Sequence, residues 1–233
     1  MDLSGRANEI ELLDTDGLDE STLVEAYDFM ASVNRFFGGR AVVKEFIEGE
    51  CRRLNTDRLS ILDVGSGACD IPIAMRQWSL KNGLDLQFTC LEISDFAYRM
   101  GQKNIQKSGQ SGIEILKADV FDYRSGRKFD AAIGSMFFHH FKADEIVRIG
   151  EIVREAGCRS MLINDLSRSW LNYYACVAIS FVLSKAVRHD ALMSIRRGFR
   201  AEDLYEILGR LGNAQIEVRR RWFCRVAGIV RWE

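Results

Sequence analysis

Apolar residues recur along the chain with two spacings, and the two spacings alternate. Five short stretches are almost continuously apolar, which is typical of buried strands. Between them, apolar positions recur every three or four residues, as on one face of a helix. The predicted strands lie near 60–64, 86–92, 113–118, 129–134 and 159–164, and the predicted helices between them at 70–81, 95–108 and 142–156.

This alternation predicts a parallel sheet covered by helices on both faces. Helical patterns also cover residues 22–37 and 41–54 before the first strand, and 201–211 near the end. Residues 215–232 are typical of two adjoining strands, which predicts an antiparallel pair. The expected fold class is therefore α/β: a doubly wound, mostly parallel sheet of seven strands with an antiparallel C-terminal strand pair.

The segment 169–187 carries apolar residues on nearly every side of a helix, so we expect it to be buried. It is either a plain core helix or a lid that gives a hydrophobic pocket. No repeat or low-complexity tract divides the chain, and we expect a single domain. Its expected parts are N-terminal helices forming part of a cap (1–57), a cofactor-binding core (58–166), a helical insert (167–200) and a C-terminal helix with the strand pair (201–233).

The net charge of −1 gives the whole chain no attraction for nucleic acid. Residues 1–25 nevertheless hold eight acids and one arginine, while residues 184–233 hold eleven basic residues and six acids. Both ends are typical of solvated faces. An attraction between the two ends, or an anionic partner for the basic end, stays open as an alternative.

The first residues show neither the basic nor the apolar region of a secretory signal. The longest nearly apolar run, 173–183, is well below the roughly 18–20 residues that span a bilayer. Six cysteines form no CxxC pair, which suits neither a zinc site nor a disulfide framework. We expect a cytoplasmic protein with reduced thiols, no metal and no stable membrane insertion, with peripheral membrane contact left open.

A glycine-rich turn follows the first predicted strand in ILDVGSGACD, residues 61–70. Glycines let the backbone approach a ligand closely, and the N-terminus of the next helix favours an anion. The dinucleotide pattern GxGxxG requires glycine where this chain has Asp70, and no GK[ST] of a P-loop is present. Asp63, just before the turn, suits a ligand with both an ammonium and a carboxylate, so we expect an amino-acid-like group.

Two further acids end the second and third predicted strands. Glu92 could accept two hydrogen bonds from a ribose diol. Asp119 could accept from the exocyclic amine of an adenine, while the N–H of Val120 donates to a ring nitrogen. Together with Asp63, these acids would span an amino acid, a ribose and an adenine. Three solvated strand ends are the alternative.

The motifs ILDVGSGACD, CLEIS, KADVFD and FDAAIGSMFFHHF resemble those of class I S-adenosylmethionine-dependent methyltransferases. GSGACDIP and FFHHF are most similar to the branch with the ubiquinone/menaquinone C-methyltransferases, and also resemble small-molecule enzymes for phenolic or polyketide-derived products. The resemblance implies a Rossmann-like fold and S-adenosylmethionine as cofactor. The cofactor-binding residues expected from it and from the acids are Asp63, Gly65, Ser66, Gly67, Cys69, Glu92, Ile93, Asp119, Val120, Gly134 and Ser135.

Cys69 departs from the family pattern, which usually has a third glycine at this position. We expect the loop to keep its shape provided that residue 69 has a negative φ. The Cys69 side chain would then lie close to the methionine portion of the cofactor. A redox role lacks a partner cysteine nearby in the sequence.

Three histidines are the candidate catalytic residues: His139, His140 and His189. An imidazole is a reasonable base for a phenol at neutral pH, although packing or capping is the competing interpretation for His139 and His140. We expect no His189–Asp190 pair, because adjacent residues on a helix do not face each other. The candidate substrate contacts are Phe29, Phe138, Asn164, Asp165, Tyr173, Tyr174 and Phe181.

The leading hypothesis is a methyltransferase that acts on oxygen or carbon of a hydrophobic, aromatic small molecule. A non-catalytic S-adenosylmethionine-binding protein and a nicotinamide-dependent oxidoreductase are the alternatives. A nucleic acid or protein acceptor is disfavoured because GSMF stands where an NPPY-type loop would serve amino-group methylation. A monomer and a homodimer are both compatible with the sequence.

Overall fold

A seven-stranded sheet forms the centre of the computed structural model, which describes residues 3–15, 17–221 and 224–232. The strand order is β3-β2-β1-β4-β5-β7-β6. β1 to β5 are parallel, and β7 runs antiparallel to both β5 and β6. The predicted fold class is confirmed. The strands are β1 (Arg58–Val64), β2 (Asp85–Glu92), β3 (Ile113–Lys117), β4 (Ala131–Ser135), β5 (Ser160–Leu166), β6 (Ala214–Arg221) and β7 (Arg225–Trp232).

Helices cover both faces of this sheet. α2 and α3 pack on one face through residues such as Phe46 and Met75, whereas α5 and α8 pack on the other through Ile149 and Leu204. The helices are α1 (Glu20–Phe36), α2 (Gly39–Leu54), α3 (Asp70–Lys81), α4 (Asp95–Ser108), α5 (Ala143–Glu155), α6 (Trp170–Ile179), α7 (Lys185–Arg197) and α8 (Ala201–Gly209), with single 3-10 turns at Leu12–Asp14 and Phe138–His140.

The strand order reverses between β1 and β4, so the chain after these two strands leaves in opposite directions. A crevice opens at the carboxyl ends of the strands at such a point, which is where ligands of doubly wound sheets bind. The glycine-rich turn after β1 and the His139-His140 turn after β4 both lie at this crevice.

The prediction of one buried helix over 169–187 was wrong. α6 ends at Ser180, whose N–H and hydroxyl both donate to the carbonyl of Cys176. Ser184 then caps α7, and its hydroxyl accepts from the N–H of Val187. Serine hydroxyls compete for helical backbone groups in this way and so favour helix ends. One side of α6 and the turn after it is exposed.

Among the described residues, no helix has the length and apolarity needed to cross a bilayer. All six cysteines are free thiols.

Candidate functional site

Two adjoining cavities lie at the crevice. The large cavity, about 740 Å³, is bounded by the glycine-rich turn, the ends of β2 and β3, and α1. The small cavity, about 290 Å³, lies between α1, α6 and α7. The residues that line both are Glu11, Leu13, Met30, Met136 and His140. The two cavities therefore share one wall.

The large cavity collects most of the predicted cofactor residues. The acids at the three successive strand ends all line it, as do the turn glycines. Nine of the eleven lie in its wall: Asp63, Gly65, Ser66, Gly67, Glu92, Ile93, Asp119, Val120 and Ser135. Their contacts with a cofactor stay a prediction.

Glu92 is held in place by backbone donors. One carboxylate oxygen accepts the N–H of Gly67 at 2.8 Å, and the other accepts the N–H of Ser94 at 2.8 Å. A carboxylate has about four lone-pair positions, so two remain for a ligand. Burial raises the pKa of Glu92, although these hydrogen bonds act to lower it. The side chain is thus oriented for a donor such as a diol.

Asp63 lies in a buried cluster of negative charge. Its pKa is raised well above the usual range by burial, by Asp70 and by Glu92. Asp70 accepts from the Asn34 amide at 3.1 Å, and its pKa is also raised by burial. A cationic ligand in the large cavity would relieve this repulsion. The cluster therefore fits a group that carries an ammonium or a sulfonium.

α1 closes the large cavity over the glycine-rich turn. A Cβ at Gly67 would lie 3.5 Å from the ring of Tyr27, which stacks on Phe96 at 5.8 Å between ring centroids. Burial raises the pKa of Tyr27, so its phenol stays neutral. At the end of β3, Asp119 accepts the N–H of Phe121 at 2.9 Å, which keeps its carboxylate at the rim.

The expectation for Cys69 was wrong on both points. Its φ is +61°, in the left-handed region, because the chain turns there into α3. The side chain is fully buried in the core beside Cys90 and away from the large cavity, and its thiol donates to the Ser66 hydroxyl at 3.7 Å. The cysteine thus keeps the conformation that glycine adopts more readily, at a cost of about 1–2 kcal/mol.

Gly134 and Phe138 serve packing rather than ligand contact. A Cβ at Gly134 would stand 2.5 Å from the Phe138 ring and 3.0 Å from Val64, so only glycine fits. Phe138 itself is fully buried in the core. The prediction of a substrate contact at Phe138 was wrong, because the 3-10 turn after β4 directs this ring into the sheet.

The small cavity has a mostly apolar wall with a few polar side chains at one end. Phe29, a predicted substrate contact, lines it. The other apolar residues include Val33, Phe37, Leu166, Ile179 and Ile195, and the polar ones include Glu11, His139, His140, Asp190 and Ser194. An apolar cavity with a few convergent polar groups is typical of a small-molecule site.

His139 lies buried between two carboxylates. Its Nδ1 is 2.7 Å from Asp165, and its Nε2 is 3.4 Å from Glu11. Burial opposes a charge on the imidazole, but Asp165 and Glu11 outweigh it and raise the pKa of His139 to about 9. His139 in turn lowers the pKa of Asp165, although burial acts to raise it. His139 is therefore a cation at neutral pH and cannot accept a proton as a base.

His140 is the histidine that faces both cavities. Its Nδ1 is 2.9 Å from a carboxylate oxygen of Asp14, and its ring lies 4.3 Å from that of His139 between centroids. Asp14 is about 40% exposed, and its pKa is lowered because His140 and Arg197 face it, although partial burial acts to raise it. An ionised Asp14 fixes the orientation of the ring and leaves Nε2 to accept a proton.

Glu11, His139 and His140 each offer a ligand atom, and these atoms lie within 4.8 Å of one another. The three side chains could therefore hold a metal ion. Each histidine Nδ1 already faces a carboxylate, however, and Glu11 accepts from the Ser194 hydroxyl at 2.9 Å. Protein groups thus hold one nitrogen of each histidine and one oxygen of Glu11.

His189 lies apart from both cavities, with about half of its side chain exposed. It therefore belongs to neither cavity wall. Its Nδ1 lies 3.0 Å from a carboxylate oxygen of Asp190, contrary to the expectation that these two neighbours do not pair. Asp190 accepts the N–H groups of Leu12 and Leu13, both at 2.8 Å, and so holds the N-terminal segment.

The remaining predicted substrate contacts line neither cavity. Asn164 is buried and donates to the Ser135 hydroxyl and to the carbonyl of Gly39. Asp165 is also buried, and its carboxylate contacts Nδ1 of His139. Tyr173 packs in a small core with Leu166, and Tyr174 and Phe181 are exposed. These five side chains thus lie outside both cavity walls, since a position at a strand end or on a helix does not settle where its side chain points.

Sequence reasoning missed the N-terminal segment, residues 3–15. Besides Glu11 and Asp14, it supplies Arg6, which donates to the carbonyls of His139 and Phe141, both at 2.9 Å. The concentration of acids at the start of the chain was the available signal. Its alternative interpretation, that the two ends attract, matches the pairing of Glu9 with Arg196 at 3.0 Å.

Comparisons with known proteins complete this description. Residues 20–133 match the model of the ubiE/COQ5 methyltransferase family. Most residues of the large-cavity wall fall within this match. The chain has the class I S-adenosylmethionine-dependent methyltransferase fold. The resemblance to this class is confirmed.

Solved structures agree in fold. The plantazolicin methyltransferase BamL, in complex with a triazolic desmethylPZN analog and S-adenosylhomocysteine, has a TM-score of 0.70 and 13% identity, with 91% of each chain covered. The magnesium protoporphyrin IX methyltransferase ChlM of Synechocystis PCC 6803 has a TM-score of 0.56 and 13% identity, over 95% of this chain and 91% of that one. At this identity the likeness concerns the fold alone.

A curated relative is the tRNA1(Val) (adenine(37)-N6)-methyltransferase of Glaesserella parasuis serovar 5 (strain SH0165). It is 32% identical over 82 residues, which are 34% of this chain. The match spans about a third of the relative's length, 33%.

Glu92→Ala should weaken the binding of S-adenosylhomocysteine about 100-fold, because a charged acceptor of two hydrogen bonds is lost. Calorimetric titration measures this change. Glu114→Ala is the control, since Glu114 lies on neighbouring β3 and pairs with Arg127 at the surface. Equal affinity of the Glu92 variant and the wild type would contradict the assignment of Glu92 to the ribose.

His139 should stabilise the fold most at lower pH. Its folded-state pKa of about 9 exceeds the ordinary 6.5, so its contribution is complete below pH 6.5 and is lost as the pH rises through 9. The difference in unfolding free energy between wild type and His139→Gln should fall by about 3 kcal/mol over this range. Urea denaturation measures it, and His189→Gln is the exposed-histidine control. A pH-independent difference would contradict the buried cation.

Proposed function

We propose that the chain transfers a methyl group from S-adenosylmethionine to an oxygen or carbon of a hydrophobic, aromatic small molecule. The observation that carries this proposal is the small apolar cavity that shares a wall with the cofactor cavity and presents His140 to both. A phenol, a quinol or a polyketide-derived ring suits such a wall. We also propose that the protein works in the cytoplasm, consistent with its six free thiols.

The large cavity offers groups for each part of the cofactor. Asp63 and the residues around it suit the charged methionine end, Glu92 suits the ribose diol, and Asp119 with Val120 suits the adenine. When bound, S-adenosylmethionine supplies an electrophilic methyl group on its sulfonium. The protein has to position the acceptor in line and to exclude water.

His140 is the residue that would take the proton of a hydroxyl acceptor. Asp14 holds its Nδ1, so Nε2 accepts the proton and the Asp14 carboxylate stabilises the resulting imidazolium. Neighbouring His139 is already cationic, and it would instead donate a hydrogen bond or stabilise negative charge on the acceptor oxygen. The two adjacent histidines thus have different roles because different carboxylates hold them.

The alternatives have less support. The tRNA relative matches only a third of its own length, and this chain has GSMF after β4 and an apolar second cavity. A non-catalytic cofactor-binding protein would have no use for an apolar cavity on the shared wall. A nicotinamide-dependent oxidoreductase lacks support from the family match.

Incubation with methyl-labelled S-adenosylmethionine and a panel of phenols and quinols tests the proposal. Calorimetric titration with S-adenosylhomocysteine precedes it and shows whether the cofactor cavity is competent. We expect binding in both experiments and label transfer to at least one apolar acceptor. Cofactor binding without transfer to any phenol, quinol or polyketide acceptor would favour the non-catalytic alternative.

Ala175→Phe should raise the KM for the acceptor about tenfold and leave S-adenosylhomocysteine affinity unchanged. Ala175 lines the small cavity from α6, so a larger side chain there fills acceptor space. Ala178→Phe is the matched control, an exposed alanine on the same helix outside the cavity wall. Equal KM values for the two variants would show that the acceptor does not bind in this cavity.

His140→Gln should lower kcat for a phenol about 100-fold or more, because a general base is lost. S-adenosylhomocysteine affinity should change little. The pH profile of kcat distinguishes this role from positioning, since the loss should shrink at high pH, where the phenol ionises by itself. His189→Gln, with its ring outside both cavities, should keep full activity. An unchanged kcat for His140→Gln would show that no base acts at this position.

A further inference from the structure

Exposed large apolar side chains are concentrated on α6 and the turn after it. We call this surface the α6 face, and it comprises Leu171, Tyr174, Ala175, Ala178, Phe181 and Val182. Phe181 and Val182 are 70% and 74% exposed. Large apolar side chains at an exposed turn need a partner to be withdrawn from water. The face is therefore a docking surface.

The charges around this face match an anionic partner. Residues 166–189 contain no Asp or Glu but carry Lys185 and Arg188 in the first turn of α7. Glu25 of α1 also reaches this part of the chain, and its carboxylate accepts the N–H of Ser184 at 3.0 Å. The partial positive charge of the α7 N-terminus offsets that acid. The segment that carries the face is thus basic along its sequence.

The aromatic residues at the edge of the face favour a lipid surface. Trp170 and Tyr174 stack, with 5.9 Å between ring centroids, and both are about half exposed or more. Trp and Tyr have an apolar body and a polar edge, which suits the boundary between headgroups and acyl chains. A second copy would bring the same segment, residues 166–189, which has no Asp or Glu to pair with Lys185 and Arg188. A lipid surface is the better occupant.

We infer that the α6 face binds the surface of an anionic lipid bilayer and takes up the acceptor from it. The second part rests on the proposed function. Leu171 and Ala175 belong both to the α6 face and to the wall of the small cavity. A hydrophobic acceptor dissolved in the bilayer therefore reaches the cavity between apolar surfaces. The contact is peripheral, since no described helix can cross the bilayer.

Co-sedimentation of the full chain with vesicles tests the inference. One set contains phosphatidylcholine and phosphatidylglycerol in equal amounts, and the other contains phosphatidylcholine alone. We expect binding to the anionic vesicles, weaker binding to the neutral ones, and a further loss at high salt. Lys185→Glu with Arg188→Gln should abolish the preference for anionic lipid. The substitution Lys185→Glu places an acid at the N-terminus of α7, where the helix dipole favours it, so the helix should stay folded.

Phe181→Ser with Val182→Ser should lower the vesicle partition coefficient about tenfold or more, because two apolar side chains no longer leave water. Leu80→Ser is the matched control, since Leu80 is an exposed apolar residue of α3. S-adenosylhomocysteine affinity, measured on every variant, shows that the fold is intact. It also separates the outcomes, because vesicle binding without cofactor binding would refute only the proposed function.

Two results would overturn the inference. One is that the Phe181/Val182 double variant and the Leu80 control have equal vesicle partition coefficients. Absence of any vesicle binding by the wild type counts as the same result. The other is a lipid-free dimer that the same double substitution dissociates, as sedimentation velocity would show. The α6 face would then be an interface between two copies of the chain.

Discussion

The arrangement of the site depends on one buried cation, the imidazolium of His139. Asp165 at the end of β5 and Glu11 in the N-terminal segment hold its two nitrogens. Arg6 and Arg197 bind the carbonyl of the same residue. Breaking a buried pair leaves an uncompensated charge, which is far more costly than losing a surface pair. The turn after β4, the end of β5 and the N-terminal segment are thereby fixed to one another, and with them the wall shared by the two cavities.

The sequence predicted the sheet and the cofactor side of the site for the same physical reason. Strands buried on both faces have to be continuously apolar, and the carboxyl ends of parallel strands share one edge. Acids that end successive strands, such as Asp63 and Glu92, therefore meet without any knowledge of side-chain direction. The contacts around the small cavity could not be predicted in this way. His140 and Asp14 stand 126 residues apart and meet only because an irregular segment crosses the sheet edge.

Side-chain direction accounts for most of the differences between the predicted and the observed positions. Asn164 and Phe138 both stand next to the crevice in sequence, yet they point into the core. Successive residues of a strand point to opposite faces, and a 3-10 turn redirects them again. Cys69 shows the same limit, because its sulfur lies in the core although its backbone belongs to the glycine-rich turn. The break between α6 and α7 followed from two serines, whose hydrogen bonds hydrophobic periodicity does not report.

The wall shared by the two cavities has a thermodynamic consequence. Glu11 and Leu13 line both spaces and belong to a segment without regular structure apart from one 3-10 turn. Because these side chains contact both spaces, a ligand that displaces Glu11 or Leu13 in one cavity also changes the wall of the other. Affinities for the two ligands are in that case coupled, and reciprocity requires each ligand to change the affinity of the other by the same factor.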